Sequence, residues 1–459
     1  PLASVNPFKS FDCLAMPLFP LKKQNPGTSP VIFSKSEGFR LLIVQYAGDY
    51  RQAYYTLAQD GAETYYAQRY SVELLAEYKQ WCQEVATLIF KTDEFYDETL
   101  PNGVRSIGAG CMHRPIDDQQ ILDIVQKFQP THLILRTPHA SLLNWAIRNR
   151  VRCLVTLADS FQANKPKQWL KNLLLGRLLN HPWIDWVANH GVNSSMSLQS
   201  IGVSASKIIP WDWPAIITPT VFAPKTQVAA NDHVNLFFAG AITEAKGIGD
   251  VLRAIPWLKQ RNISVSLKIA GNGEIATFQR EATRLGIEDA IEFLGLVPHH
   301  NIVNLMRAAD VVLIPSRHEY PEGLPMTIYE ALCSRTPIVA SDHPMFRGRL
   351  QHEESALIFP QGNSTALGNC IDRLVFSPPL YERLSVTSED AWNKIQIAVK
   401  WGDIVERWLV DSPDNRRWLA ERCLNAELYT QSTQSVASSA PLSIVLPIID
   451  QGVLIEREG

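Results

Sequence analysis

Charge asymmetry is nearly absent from this 459-residue chain: 43 Lys+Arg against 46 Asp+Glu leave a formal net charge of −3. That balance argues against a nucleic-acid footprint over the whole molecule. Cysteine is equally sparse. Cys13, Cys82, Cys111, Cys153, Cys333, Cys370 and Cys423 are odd in number and scattered, with no C-x-x-C pair. Neither a disulfide framework nor a zinc site is expected, and reduced, buried thiols are. No apolar run reaches the ~18 residues of a membrane span, and the N-terminus lacks the charged-then-apolar order of a signal peptide. A cytoplasmic protein is expected, although a chain opening on Pro1 is also compatible with a removed leader.

What is present is ordinary globular composition, 46% hydrophobic and 19% charged, in a length that suits two or three domains. Short β-branched runs alternate with segments of helical periodicity, the pattern of parallel α/β sheets. Strands are expected at Leu41–Gln45, Val85–Phe90, His132–Leu135, Val151–Leu157 and Ile184–Ala188, making one doubly wound domain. A second series occupies Val234–Ala239, Ser264–Ala270, Ile291–Leu294, Val311–Pro315, Pro337–Ser341 and Ala356–Phe359. The proline-bearing stretch Pro210–Asp232 reads as the linker. Two such domains facing each other form a cleft, and ligands of these sheets sit beyond the carboxyl ends of the strands.

The segment densest in chemistry is Ser316-Arg317-His318-Glu319-Tyr320-Pro321-Glu322-Gly323-Leu324-Pro325-Met326-Thr327-Ile328-Tyr329-Glu330-Ala331. It leaves an apolar strand and enters a helix, so a helix N-terminus stands at the carboxyl edge of the sheet. Open backbone N–H groups and partial positive charge make that end an anion site. Gly323 admits close approach of a ligand, Pro325 suits the first helical turn, and the N–H groups of Met326 and Thr327 can hold phosphate oxygens. Glu322 and Glu330, separated by seven residues, can meet a sugar near the phosphate and hydroxyls further along the same ligand. Such spacing is common by chance; its position behind a strand is what gives it weight.

These residues resemble the retaining GT-B glycosyltransferases of family 4, the glycosyl transferases group 1. The family's E-x(7)-E motif matches Glu322 to Glu330, and Thr336–Ser341 matches its next strand. Phe238-Ala239-Gly240 with Lys246-Gly247, then Ile269–Gly273, then Phe293-Leu294-Gly295 agree in order, and Trp401–Leu409 looks like the helix closing the C-terminal domain. The likeness is strong over 234–410 and weaker over 39–210. It implies the GT-B fold, two facing doubly wound Rossmann-like parallel-sheet domains with an interdomain cleft: an acceptor side over 38–210, a linker over 211–232 and a donor side over 233–411. It implies a hexosyltransferase moving a sugar, with retention, from a nucleotide-diphosphate-sugar donor to a hydroxyl of a glycan or lipid-linked acceptor. The leaving phosphate itself would take the acceptor proton. Lys246 would neutralise the diphosphate, Glu330 would bond the ribose and Glu322 the transferred sugar, with Gly48, Gly240, Gly271, Gly323, Leu324, Met326 and Thr327 also around the donor. Since no Asp-x-Asp pair occurs, neither metal nor cofactor is expected, and Lys246 with the helix end must compensate the charge.

The chain departs from the pattern in places. Ala241 stands where the family usually has an arginine, so either another residue such as Arg317 or Arg347 reaches in or phosphate binding is weaker, and Arg335, at a usually small position, is expected to face solvent. The Gly48 turn reads as a donor loop or a tight strand-to-helix connection. Asp159 stands where a histidine is common and is either a helix cap or a polar group facing the sugar or acceptor, with His139 as a second candidate. Residues 165–179, Lys- and Leu-rich with Trp169, suit either a peripheral membrane contact or a core-facing helix with a basic edge. Residues 1–37 form an unassigned extension. In the tail 412–459 the strand-like Ser443–Pro447 loosely resembles the first strand of a GT-A domain, so the tail is either an ordinary frayed end or the start of a further domain in a longer polypeptide. The alternative to catalysis is a noncatalytic sugar-nucleotide-binding scaffold module.

Overall fold

In a computed structural model, residues 38–59, 61–63, 66–161, 166–229 and 233–429 are described. The extension 1–37 with Cys13, Lys165 and the stretch 430–459 lie outside the described residues. The first sheet holds β1 (Arg40–Gln45), β2 (Glu84–Ile89), β3 (Phe95–Thr99), β4 (Arg105–Ala109), β5 (His132–Leu135), β6 (Arg152–Leu157), β7 (Ile184–His190) and β8 (Ile208–Trp211). The second holds β9 (His233–Ala239), β10 (Ser264–Ala270), β11 (Ile291–Gly295), β12 (Val311–Ile314), β13 (Ile338–Ser341) and β14 (Leu357–Phe359). Spatial order is β3-β4-β2-β1-β5-β6-β7-β8 in the first and β11-β10-β9-β12-β13-β14 in the second. Only β3 runs antiparallel. In the second sheet the order reverses between β9 and β12, the point at which a doubly wound sheet opens its ligand crevice.

Both faces of the second sheet are buried, which is why its strands read as unbroken apolar runs. Leu236, Phe238, Val311 and Leu313 pack on one face, and Phe237, Val312 and Ile314 on the other. The six described cysteines are buried and unpaired. Three strands escape the sequence pattern. β3 is a charged edge strand, β4 contains Gly108 because the Tyr96 ring occupies the space of a side chain there, and β8 carries Pro210. An edge strand tolerates that proline, so the linker begins only at Asp212.

The C-terminal boundary also needs correction. The helix Trp401–Val410 packs Trp401, Ile404, Val405, Trp408 and Leu409 into the first domain's core, joined by Leu419, Cys423 and Tyr429. Trp408 donates its indole N–H to Asp185 Oδ2 at 2.7 Å. The second domain therefore ends before 411, and 412–429 belongs to the first. An apolar stripe at i, i+3, i+4 and i+7 needs a face to bury against, and that face lies across the linker. Arg335, expected in solvent, is buried: it donates to Pro219 O at 3.0 Å and Val386 O at 3.2 Å and pairs with Glu389.

The two chain crossings meet at Asp212, which is 1% exposed. Its Oδ1 lies 3.1 Å from His190 Nε2, at the end of β7, and its Oδ2 accepts from Tyr329 OH, in the second domain, at 2.8 Å. Its backbone N–H donates to Val399 O, its carbonyl accepts from Trp401, and Lys400 Nζ stands 3.9 Å from Oδ2. Burial opposes the carboxylate's charge, yet His190, Lys400 and Tyr329 outweigh it and hold the pKa below the ordinary value. This contribution to stability is present above the unfolded pKa and is lost as pH falls through the folded one. Tyr329→Phe removes one hydrogen bond to a charged group, so equilibrium urea unfolding should show a loss of about 1.5–3 kcal/mol. Wild-type stability in that variant would show that the two domains hold together without it.

Candidate active site

The carboxyl ends of β9, β10 and β12 converge. In the β9–β10 register Ala239 faces Ala270, so Gly240 and Gly271 follow side by side with φ of +151° and +143°. A side chain on Gly271 would collide with the Gly240 carbonyl, which makes glycine a steric requirement there. Beyond Gly240, Thr243 caps a short turn by accepting from Lys246 N at 3.2 Å. That turn sends the Lys246 side chain back along Gly240.

Lys246 and Glu322 are both buried and form an ion pair through Nζ and Oε1. Ser316, the first residue past Pro315, donates its hydroxyl to the same Oε1 at 2.6 Å. The Lys246 ammonium also sits 4.5 Å from the centroid of the Tyr320 ring, a cation–π contact. Neither Ser316 nor Tyr320 was singled out by the sequence, though both lie in the segment that was.

Next to this pair is a cavity of about 510 Å³, lined by Gly240, Ala241, Gly271, Asn272, Leu296, Val297, His299, Met326, Thr327, Glu330 and Tyr66. The helix Met326–Ser334 points its N-terminus at it with no side-chain cap. Pro325 is the residue before the helix rather than within its first turn. Glu330 is buried and its Oε1 lies 2.7 Å from His299 Nε2. His299 is a residue that the sequence reading missed; its signal was a histidine opening the helix His299–Ala308, just past β11 at the same sheet edge. Burial disfavours its charge, but Glu330 more than offsets this and raises its pKa. Tyr66, from the first domain, meets the His299 ring edge-on at 5.1 Å and accepts from Ile216 N at 3.0 Å.

Several expected residues have other duties. Gly323 does not open the backbone to a ligand, because a side chain there would strike the Ala158 carbonyl and approach that of His190. It permits contact between the two domains instead. Leu324 is buried in the second domain's core and would touch any side chain at Gly191. Gly48 does not line the 510 Å³ cavity; it lines a separate one of about 210 Å³ with Tyr50, Tyr66, Arg136 and Trp213. The Gly48 turn is followed by Asp49, which caps the helix Tyr50–Ala58. His139 lies 3.3 Å from Asp118 and packs edge-on against Phe90, contacts that involve none of the group around Lys246. Among the described residues Asp159 caps no helix. It is half-buried with a pKa raised by burial, and its charge acts on Tyr320, on the Glu322 side of the cleft. Arg317 does not replace the missing arginine: Asp250 and Glu244 hold it at 2.6–2.9 Å. Arg347 is exposed.

Removing one member of a buried ion pair leaves the other uncompensated, at a cost of about 3–5 kcal/mol. Lys246→Met should destabilise the protein by that order in chemical denaturation, and Lys246→Met with Glu322→Gln should restore most of the loss. Additive losses would show that the pair is not coupled. For His299, a raised folded pKa makes its stabilisation greatest below the ordinary value of 6.5 and lost as pH rises through the folded pKa. The melting-temperature gap between wild type and His299→Gln should therefore narrow from pH 6 to pH 9; a gap that widens would contradict the assigned ion pair.

The profile of the family described as glycosyl transferases group 1 matches residues 223–390. The amylovoran biosynthesis glycosyltransferase AmsK of Erwinia amylovora is 28% identical over 162 residues, 34% of this chain and 40% of that protein. The phosphatidyl-myo-inositol mannosyltransferase of Mycobacterium leprae is 27% identical over 267 residues, 56% of this chain and 68% of that one. The matched stretch thus spans less than half of AmsK. Among solved structures, Anabaena Alr3699/HepE in complex with UDP and glucose superposes with a TM-score of 0.55 at 15% identity, covering 78% of this chain and 95% of that one. The chain has the GT-B fold, and its residues 223–390 belong to the glycosyl transferases group 1 family.

Proposed function

We propose that the protein is a retaining hexosyltransferase that moves a sugar from a nucleotide-diphosphate-sugar donor to a hydroxyl of a glycan or lipid-linked acceptor, in the cytoplasm and without a metal. The observation that carries this reading is the buried Lys246–Glu322 pair beside an uncapped helix N-terminus and a cavity ending at Glu330. The diphosphate lies over the N–H groups of Met326 and Thr327, where the helix end favours negative charge. Lys246 turns from Glu322 toward the phosphates as the glycosidic bond breaks and the leaving group gains charge. Glu322, released from full pairing, accepts from sugar hydroxyls. Glu330, held by His299, accepts from the ribose, while Leu296 and Val297 form the apolar wall for the base. Asp159 reaches the acceptor side of the same cleft. With Arg317 locked and Ala241 lacking a charge, one side-chain cation serves the diphosphate.

A second reading, a noncatalytic sugar-nucleotide-binding module, is favoured by Ala241 and by the lysine's existing pairing with Glu322. Thermal-shift screening of UDP-, GDP- and ADP-sugars identifies the donor, since a ligand at 100 times its Kd stabilises by about 2.7 kcal/mol. With that donor and mixed glycan acceptors, release of nucleoside diphosphate is expected. Glu322→Gln should lower kcat by about 10²–10³, the range for losing one preorganised polar group at the reacting centre. Donor binding without nucleoside diphosphate release would favour the binding module, and an unchanged kcat would remove Glu322 from the chemistry.

A further inference from the structure

The helix Pro166–Leu179 packs only some of its leucines. Its buried residues are Asn172, Gly176 and Leu179, and Leu175 and Leu178 pack against the same core. At Gly176 any side chain would collide with the Ile201 carbonyl, so the helix backbone approaches the domain closely on that side. Trp169, Leu170 and Leu174 are instead 57, 52 and 50% exposed. At 3.6 residues per turn, Lys167, Leu170, Lys171, Leu174 and Arg177 share an outward arc of about 120°, opposite the buried stripe. Lys167, Lys171 and Arg177 are all exposed, and the helix contains no Asp or Glu. The core-facing reading holds for Leu175, Leu178 and Leu179, whereas Leu170 and Leu174 stand outside it.

We propose that this face docks on an anionic lipid bilayer. Leucines interleaved with long cationic side chains suit the boundary between acyl chains and headgroups: the leucines enter, and the cations lie along the apolar surface with their charges at the phosphates. The charge of the face selects anionic lipid over a neutral apolar partner. The helix follows the carboxyl end of β6, the strand end that carries Asp159. In a right-handed crossover its first turn, with Trp169 and Leu170, therefore stands at the cleft edge of the first sheet. Docking there presents the acceptor side of the cleft to hydroxyls carried on lipid. This last consequence rests on the proposed transfer reaction, whereas docking itself does not.

The full chain is pelleted with vesicles of phosphatidylglycerol and phosphatidylcholine, and with vesicles of phosphatidylcholine alone. It should partition onto the anionic vesicles far more strongly than onto the neutral ones. Lys167→Glu, Lys171→Glu and Arg177→Glu together should weaken partition by about 100-fold or more, three cations near an anionic surface at about 1 kcal/mol each. Leu170→Ser with Leu174→Ser should weaken it at least tenfold. All these positions are exposed, so both variants should keep the wild-type circular dichroism spectrum and turnover on a soluble acceptor. Pelleting independent of these residues, or none on anionic vesicles, overturns the proposal. So does a concentration-dependent dimer that Leu170→Ser with Leu174→Ser dissolves, since the face would then belong to a second copy. An inactive protein that still pellets would count against the transferase reading and leave the docking surface standing.

Discussion

The buried carboxylate of Asp212 is the constraint on which the relation of the two sheets depends. A charge that is 1% exposed survives only with partners, and its partners come from four places: the end of β7, the linker, the returning segment 397–401 and the helix of Glu330. The chain passes between domains twice, and both passages are tied to this one side chain. Tyr329 precedes Glu330, so the same contact that joins the domains sets the helix whose N-terminus faces the donor cavity.

The site itself is closed on its own charges. Lys246 is paired with Glu322 and stacked on Tyr320, and Glu330 is paired with His299. Each of these side chains thus has a partner, which keeps the buried charges compensated. On the proposed reading a donor replaces these contacts, and a diphosphate beside a helix N-terminus would do so because it brings negative charge to a place already positive. On the same reading Ala241, uncharged in the cavity wall, leaves that task to one lysine.

Much of this was legible in order along the chain. Lys246, Glu322, Glu330 and the helix at Met326 sit at strand ends, and a strand end in a doubly wound sheet has only one place to be. Histidines and glycines were harder to read. His139 and Asp159 both follow strands in the first domain, yet only Asp159 acts on Tyr320, because Asp118 holds the other side chain. Gly323 looked like room for a ligand and is in fact room for the Ala158 carbonyl, a neighbour 165 residues earlier in sequence.

The sequence by itself determined two parallel sheets, their approximate bounds, and the set of loops that carry the chemistry, since strand period and helix-start signals are local. Tertiary structure alone decided the rest. It returned Trp401–Val410 to the first domain, because an apolar stripe records that it must be buried and not against what. It paired Glu330 with His299 and Asp212 with Tyr329, contacts between segments distant in sequence. It also turned Leu170 and Leu174 of Pro166–Leu179 outward while Leu175, Leu178 and Leu179 pack inward, because the close approach at Gly176 sets which side of the helix meets the domain.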